Sequence, residues 1–355
     1  MPPECAEILI IGGGIAGLST AFHLAQAGQQ GVVLLDREDL PGFYASGHNA
    51  GIARQLTGKA EHTTLTLEGA RRLHMAGLID GSGGLLLGAN PGGTDALARE
   101  AEAFGLPVQR HEGTPITGLK AAEHLVIPSD GVIDIDLMLN HCAEGARAQG
   151  ASLRFGCEVR AIHSSAAGFE VETDQGTLQT RILVNAAGGW CGELGKMAGG
   201  LDIAFQPLRR HLVWSNAPYP AHQPWAWWAD RPLYVRPESG GLLLCACEEQ
   251  ETPLPTRHTQ PENDDSILEG LAASLRELAP TLADLPIARL WCGLRTFAPD
   301  RRFVIGYDPI NPHLFWVAGL GGHGMTSGLA VGELAAQAIL GKANTGVLDP
   351  GRLKG

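Results

Sequence analysis

Ile8-Leu9-Ile10-Ile11-Gly12-Gly13-Gly14-Ile15-Ala16-Gly17, followed by Leu18 to Ala27, Gly28, Val32-Val33-Leu34-Leu35 and Asp36, decides the fold. Four apolar residues read as a buried strand, and glycines at GxGxxG spacing read as a turn into a helix. Gly12 permits the tight turn, Gly14 lets the backbone approach a pyrophosphate, and Gly17 lets the helix pack closely on the sheet. The helix from Ile15 to Ala27 aims its unpaired N–H groups and the positive end of its dipole at the phosphates. Gly28 ends it. The strand Val32 to Leu35 then brings Asp36 to where a carboxylate can accept from a ribose hydroxyl. Strand, glycines, helix, strand and acid in this order imply a dinucleotide site, suited by these residues alone to NAD or to FAD.

The chain has 355 residues, enough for one large domain or two interleaved ones. With 26 Lys and Arg against 38 Asp and Glu, the formal charge is −12. That balance disfavours nucleic acid and anionic lipid and leaves a small molecule as the expected partner. Hydrophobic residues make up 44% of the chain, yet no run reaches the roughly 20 apolar residues of a membrane span. Met1-Pro2-Pro3-Glu4-Cys5 lacks the basic and apolar regions of a secretory leader. A cytoplasmic chain is expected, with peripheral membrane attachment as the variant. Seven cysteines, at Cys5, Cys142, Cys157, Cys191, Cys245, Cys247 and Cys292, show no zinc-type pairing, so no metal site is expected. Cys245 and Cys247 flank Ala246 in a strand-like run and read as small core residues sharing one face.

No repeat or linker divides the chain. Asp136 to Gln149 carries an apolar stripe at Leu137, Leu139, Cys142, Ala143 and Ala146 and ends at Gly150, an amphipathic helix. Leu153 to Phe155, Cys157 to Ile162 and Phe169 to Thr173 read as strands, with a turn at Asp174-Gln175-Gly176. Arg181 to Asn185 reads as a buried strand running through Ala186-Ala187 into a second glycine turn, Gly188-Gly189. His211 to Ser215, Leu233 to Arg236 and Leu242 to Ala246, with Trp225, Trp227 and Trp228 clustered nearby, read as an antiparallel sheet carrying a substrate pocket. Strand Leu314 to Ala318, the turn Gly319 to Met325 and a helix from about Thr326 to Leu340 form a third glycine turn.

Together these segments resemble the FAD-dependent amino-acid oxidoreductases of the D-amino-acid oxidase type, the group of glycine oxidase, sarcosine oxidase and D-amino-acid dehydrogenases, D-arginine dehydrogenase above all. The resemblance runs along nearly the whole chain. It rests on Ile10 to Gly17, Leu183-Val184-Asn185-Ala186-Ala187-Gly188, Cys292-Gly293-Leu294-Arg295 and Gly321-Gly322-His323-Gly324-Met325. It implies an α/β fold in which an FAD-binding Rossmann-type domain (1–75, 135–205 and 300–355) is interleaved with an antiparallel-sheet substrate domain (76–134 and 206–299). Ala16 would lie at the pyrophosphate turn, and Asp36 and Arg37 at the adenosine. Ser46-Gly47-His48-Asn49-Ala50-Gly51 would pass beside the flavin, and the Val159 backbone would hold adenine. Gly321, Gly322, Gly324, Met325 and Thr326 would bring N–H groups and a helix N-terminus to the pyrimidine edge, where negative charge develops on reduction.

The implied chemistry is hydride loss from the α-carbon of a D-amino acid to flavin N5, giving an imino acid and then a 2-oxo acid and ammonia. Oxygen or a quinone would be the electron acceptor. Glycine or a secondary amine such as sarcosine, and a larger amine substrate, are the alternatives. Arg295 is the expected clamp for the substrate carboxylate, since a guanidinium binds both oxygens at once; an ion pair with Asp300 is its structural alternative. Tyr234 matches a tyrosine whose hydroxyl reaches substrate. Arg209 and Arg210 begin a strand, where alternation turns one inward; Arg210 is carried as the site residue, although spacing does not choose between them. His48 and His323 sit where they can influence amine protonation. Cys292 matches the region where sarcosine oxidases hold flavin covalently. Ile52-Ala53 stands where the D-arginine enzymes lead one to expect histidine and tyrosine, and Gly81 to Leu87 lacks an acid, so a small or apolar substrate side chain is expected.

Overall fold

The computed structural model describes residues 4–354, so the part of the leader reading that falls on Met1 to Pro3 lies outside the described residues. β1 (Glu4–Ile11), α1 (Ile15–Gln26) and β2 (Val32–Leu35) form where the opening stretch puts them. β1 is in the interior of an eight-stranded sheet, so Ile8, Leu9 and Ile10 are apolar on both faces and buried. The strand order is Val304–Tyr307, Leu314–Ala318, Gly176–Asn185, β1, β2, Ser152–Arg154. Strands Val159–Ser165 and Gly168–Thr173 extend it in antiparallel fashion. Ile11 is level with both Asn185 and Leu35 in parallel pairing. Gly12, Asp36 and Ala186 therefore leave the sheet at one edge, the carboxyl ends of its parallel strands, where ligands of such sheets bind.

One face of this sheet is covered by α1 and the helices Ile135–Ala148 and Gly324–Ile339. Asp134 caps the second of these by accepting from Leu137 N at 2.9 Å. The expected stripe is displaced by one residue there: Leu137 is 49% exposed and Met138 is buried in its place. The last helix begins at Gly324, two residues before the start read from the sequence, which puts Met325 and Thr326 inside its first turn.

The second sheet has nine strands. Its order is Gln250–Glu251, Gln206–Ser215, Gly241–Cys245, Tyr234–Glu238, Trp225–Trp228, Gly84–Gly88, Glu123–Ile127, Gln109–Glu112, with Arg289–Phe297 also paired to Gln206–Ser215. It is antiparallel except where Trp225–Trp228 runs parallel to Gly84–Gly88. Val213, Val235, Leu242 and Leu244 on one face pack under helix Ile267–Leu278. The other face carries Leu212, Tyr234, Leu243 and Cys245 and packs on Ala50 and Ile52 from the loop after the first sheet. The strand ends at Cys245, and Cys247 lies beyond it, half-buried with φ +56°, yet both cysteines pack on this same cluster and Cys247 N donates to Cys245 Sγ at 3.2 Å.

Candidate functional site

Two cavities of about 340 Å³ each share Gly14, Ala45, Ser46, Ala186, Gly188 and Leu294 in their walls, forming one channel along the edge of the first sheet. Gly12, Asp36, Arg37, Val159 and Trp190 line one end. Burial raises the Asp36 carboxyl above its ordinary range, against the downward pull of the backbone donors it accepts from, Gly13 N and, at 2.7 Å, Glu38 N. Asp36 therefore braces the glycine turn as well as facing the channel. The Arg37 guanidinium lies 4.0 Å over Trp190 and donates to Tyr44 Oη at 2.6 Å, forming a flat wall. Gly17 stands outside the channel; a Cβ there would sit 1.9 Å from the Gly12 carbonyl, so its role is helix packing.

Ala16, His48, Asn49, Ala50, Gly51, Gly321, Gly322, Gly324, Met325 and Thr326 line the other end. Gly47, expected with them, is exposed and turned away, its missing Cβ 2.6 Å from the Gly42 carbonyl. Asn49 shapes this loop, donating to Ser46 O at 2.7 Å and accepting from Gly51 N at 2.8 Å. Two helices begin at the channel. Ser46 Oγ accepts from Ile15 N at 3.0 Å at the start of α1, whereas no side chain caps Gly324–Ile339, which leaves its first-turn N–H groups for a ligand. The residues present fit FAD. The channel runs between two helix N-termini past glycine-rich backbone, and four lining side chains keep buried atoms without protein partners: His48 Nδ1, His62 Nε2, Tyr234 Oη and His323 Nδ1.

Register brings together the residues expected to meet substrate. Arg210 is opposite Gly293 and Leu208 opposite Arg295, which makes Arg210 and Arg295 diagonal neighbours on one sheet face. Gly293 has no side chain because His48 O would lie 2.0 Å from its Cβ, so the loop packs directly on the strand. Arg210 points into the cavity, while Arg209 turns out to Gln250 at 3.0 Å and Asp264 at 3.1 Å. Arg295 leaves Asp300 free to pair with Arg352 at 2.8 Å. Trp227 faces Tyr234 across the strands, ring centroids 4.6 Å apart. Tyr234 is buried beside Cys245, and burial pushes its hydroxyl well above the ordinary range. Cys292 is buried elsewhere, its Sγ 3.3 Å from Pro261 O and outside both cavity walls, which does not place it to hold flavin.

The lining residues that sequence reading missed include Arg54, Lys59, His62, Glu249, Arg301 and Trp227 as a stacking partner. Arg54 follows Ile52-Ala53 directly, and a lone arginine three residues past a cofactor loop was its only signal. Its guanidinium lies 4.2 Å over Trp227, with Nη2 3.2 Å from His323 Nε2. Burial, reinforced by Arg54, holds His323 well below the ordinary histidine range, so its Nε2 accepts from Arg54. Burial also lowers His48, and pushes His62, stacked on Phe303, down to about 4. Among the described residues no His, Cys, Asp and Glu group is placed to hold a metal ion, and no helix is long and apolar enough to cross a membrane.

The family described as FAD dependent oxidoreductase matches residues 7–338. Mitochondrial dimethylglycine dehydrogenase of Mus musculus is 30% identical over 390 residues, covering 96% of this chain and 43% of that protein. The chain thus spans less than half the length of this relative. Among solved structures, L-proline dehydrogenase from P. horikoshii has a TM-score of 0.87 at 24% identity, covering 99% of this chain and 98% of that one. Glycine oxidase from Geobacillus kaustophilus has a TM-score of 0.81 at 23% identity, covering 98% of each chain. At these identities the two structures establish the fold.

Proposed function

The chain belongs to the FAD-dependent oxidoreductase family, and from that premise we propose that it oxidises the carbon–nitrogen bond of a small amino acid. One observation carries this reading: Arg295, diagonal to Arg210, presents a guanidinium to the cavity and makes no ion pair among the described residues. A planar cation in that state suits a carboxylate bound through both oxygens. The names of the similar proteins, dimethylglycine dehydrogenase, L-proline dehydrogenase and glycine oxidase, support an amino-acid substrate. In this reading the eight-stranded sheet and its helices hold the cofactor, and the nine-stranded sheet holds the substrate.

FAD, when bound, accepts the hydride from the substrate α-carbon. The remaining work falls to the chain. Arg295 and Arg210 bind the carboxylate and fix the position of the α-carbon. The Tyr234 hydroxyl donates to the same group. The surrounding guanidiniums and neutral histidines disfavour an ammonium, so the amine loses its proton and becomes oxidisable. The carbon–nitrogen double bond formed is hydrolysed to a carbonyl compound and an amine. A primary D-amino acid gives a 2-oxo acid and ammonia; an acyclic N-alkylated amino acid, favoured by the dimethylglycine name, gives separate carbonyl and amine products, and a cyclic one, favoured by the proline name, gives a cyclic imine that hydrolyses to a single ring-opened amino-carbonyl compound.

Anaerobic mixing of the FAD enzyme with D-amino acids, glycine, sarcosine, dimethylglycine and proline tests this. The visible flavin absorbance bleaches with at least one, and Arg295→Ala weakens its apparent affinity about a hundredfold, the loss of a charged hydrogen-bonded pair of about 2–3 kcal/mol. No bleaching with any amine, or unchanged affinity in Arg295→Ala, overturns the reading.

A further inference from the structure

The charge lining the cavity exceeds what one carboxylate would answer. Arg54, Lys59, Arg210, Arg295 and Arg301 bring five cations to its wall, and Glu249 is the single carboxylate there among the described residues. This occurs in a chain of formal charge −12. Glu249 is already engaged twice, accepting from Arg210 at 3.0 Å and from Arg301 at 2.5 Å. Arg295 and Arg54 make no ion pair among the described residues. Asp130, whose field reaches Arg54, hydrogen-bonds to Gln55 at 2.8 Å instead. What Arg54 does touch, the Trp227 face and neutral His323, orients the guanidinium without cancelling its charge.

The two unpaired guanidiniums come from separate parts of the fold. Arg295 rises from the second sheet beside Arg210. Arg54 leaves the loop along the first sheet, with its backbone N–H donating to Thr326 Oγ1 at 3.3 Å. Between them the wall runs from Arg54 to Trp227, from Trp227 to Tyr234, and from Tyr234 to the field of Arg295. A buried cation without a counter-ion is costly, and an anionic ligand group removes that cost. An apolar side chain, the expectation from sequence, would leave Arg54 unanswered, and a cationic one would be repelled.

We infer that the substrate carries a second carboxylate: an amino or imino diacid whose α-carboxylate binds Arg295 and Arg210 and whose distal carboxylate binds Arg54. This rests on the reading of Arg295 given above. The test uses acids that cannot be oxidised, so its outcome is separate from whether any amine bleaches the flavin. Titration of the FAD enzyme, followed by perturbation of flavin absorbance, compares butyrate with succinate and valerate with glutarate. At least one diacid binds about tenfold or more tightly than its monoacid. Arg54→Gln removes that advantage, and Arg54→Lys, which retains the charge, keeps part of it. Equal affinity of wild type for monoacids and diacids overturns the inference, whatever the variants do. A diacid advantage that survives in Arg54→Gln, with the flavin reduction potential shifted instead, overturns it too, because Arg54 would then serve the cofactor.

Discussion

Asp130 is fully buried, its Oδ1 accepting from Gln55 N at 3.1 Å and Gln55 Nε2 at 2.8 Å while its Oδ2 has no partner. Burial raises its carboxyl to about 7, against which the Gln55 bonds pull downward. Between the ordinary carboxylate value and about 7 the folded chain holds a proton that the unfolded chain releases. The folded state therefore loses stability as pH rises through that window, and the loss is complete above it. Asp130→Asn keeps both Gln55 bonds and removes the charge. It is expected to stabilise the protein by on the order of 3 kcal/mol at about pH 8 and by much less at about pH 5. Urea unfolding at both values checks this, and an equal effect at both would contradict it. At this scale Arg295, Tyr234 and His48, each named from the sequence, all line the cavity. Arg54 and His62 escaped because nothing adjacent to them in sequence marks what they touch.

Helices meet through glycines here, and the spacing is set by backbone. A Cβ at Gly69, in helix Ala60–Met75, would lie 2.0 Å from Thr326 O and 2.9 Å from Ser327 Cα of the last helix. A Cβ at Gly332 would meet the backbone carbonyl carbon of Ser19 in α1 at 2.4 Å. Neither obstacle is a flexible side-chain end that can swing clear without moving a helix. Gly69→Val is expected to cost about 1–3 kcal/mol and, by displacing the first turn that carries Met325 and Thr326, to lower the flavin-to-protein ratio. Thermal melts together with absorbance report both. An unchanged melt and full flavin content would show that the contact is slack. Helices and strands were legible because their periodicities are local. The displaced stripe at Leu137 and Met138 and the early start at Gly324 were less so, since neighbouring elements decide where a terminus becomes buried.

Across the whole molecule, the stretch after Gln250–Glu251 leaves the second sheet and docks on the first. His258 N donates to Glu38 Oε2 at 3.1 Å, Arg37 donates to Pro255 O at 3.3 Å, and Gln260 Nε2 donates to Phe43 O at 2.8 Å. Glu38, fully buried, also accepts from Tyr44 Oη at 2.6 Å, joining this crossing to the Arg37 wall of the channel. Glu38→Ala leaves those donors unanswered, a cost of about 1–3 kcal/mol. It is expected to speed FAD release about tenfold, read from flavin fluorescence after dilution; an unaltered release rate would mean that the crossing does not hold the cofactor. The residue order by itself determined the opening βαβ unit, the three glycine turns and the family, because each is carried by short local patterns of apolar residues and glycines. Only the tertiary structure decided that Arg210 faces inward and Arg209 outward, that Arg54 stacks on Trp227, and that, among the described residues, five cations share one cavity with one acid. Those residues lie on segments far apart in the chain, and their meeting is set by strand register and by how the two sheets pack, which no local pattern encodes.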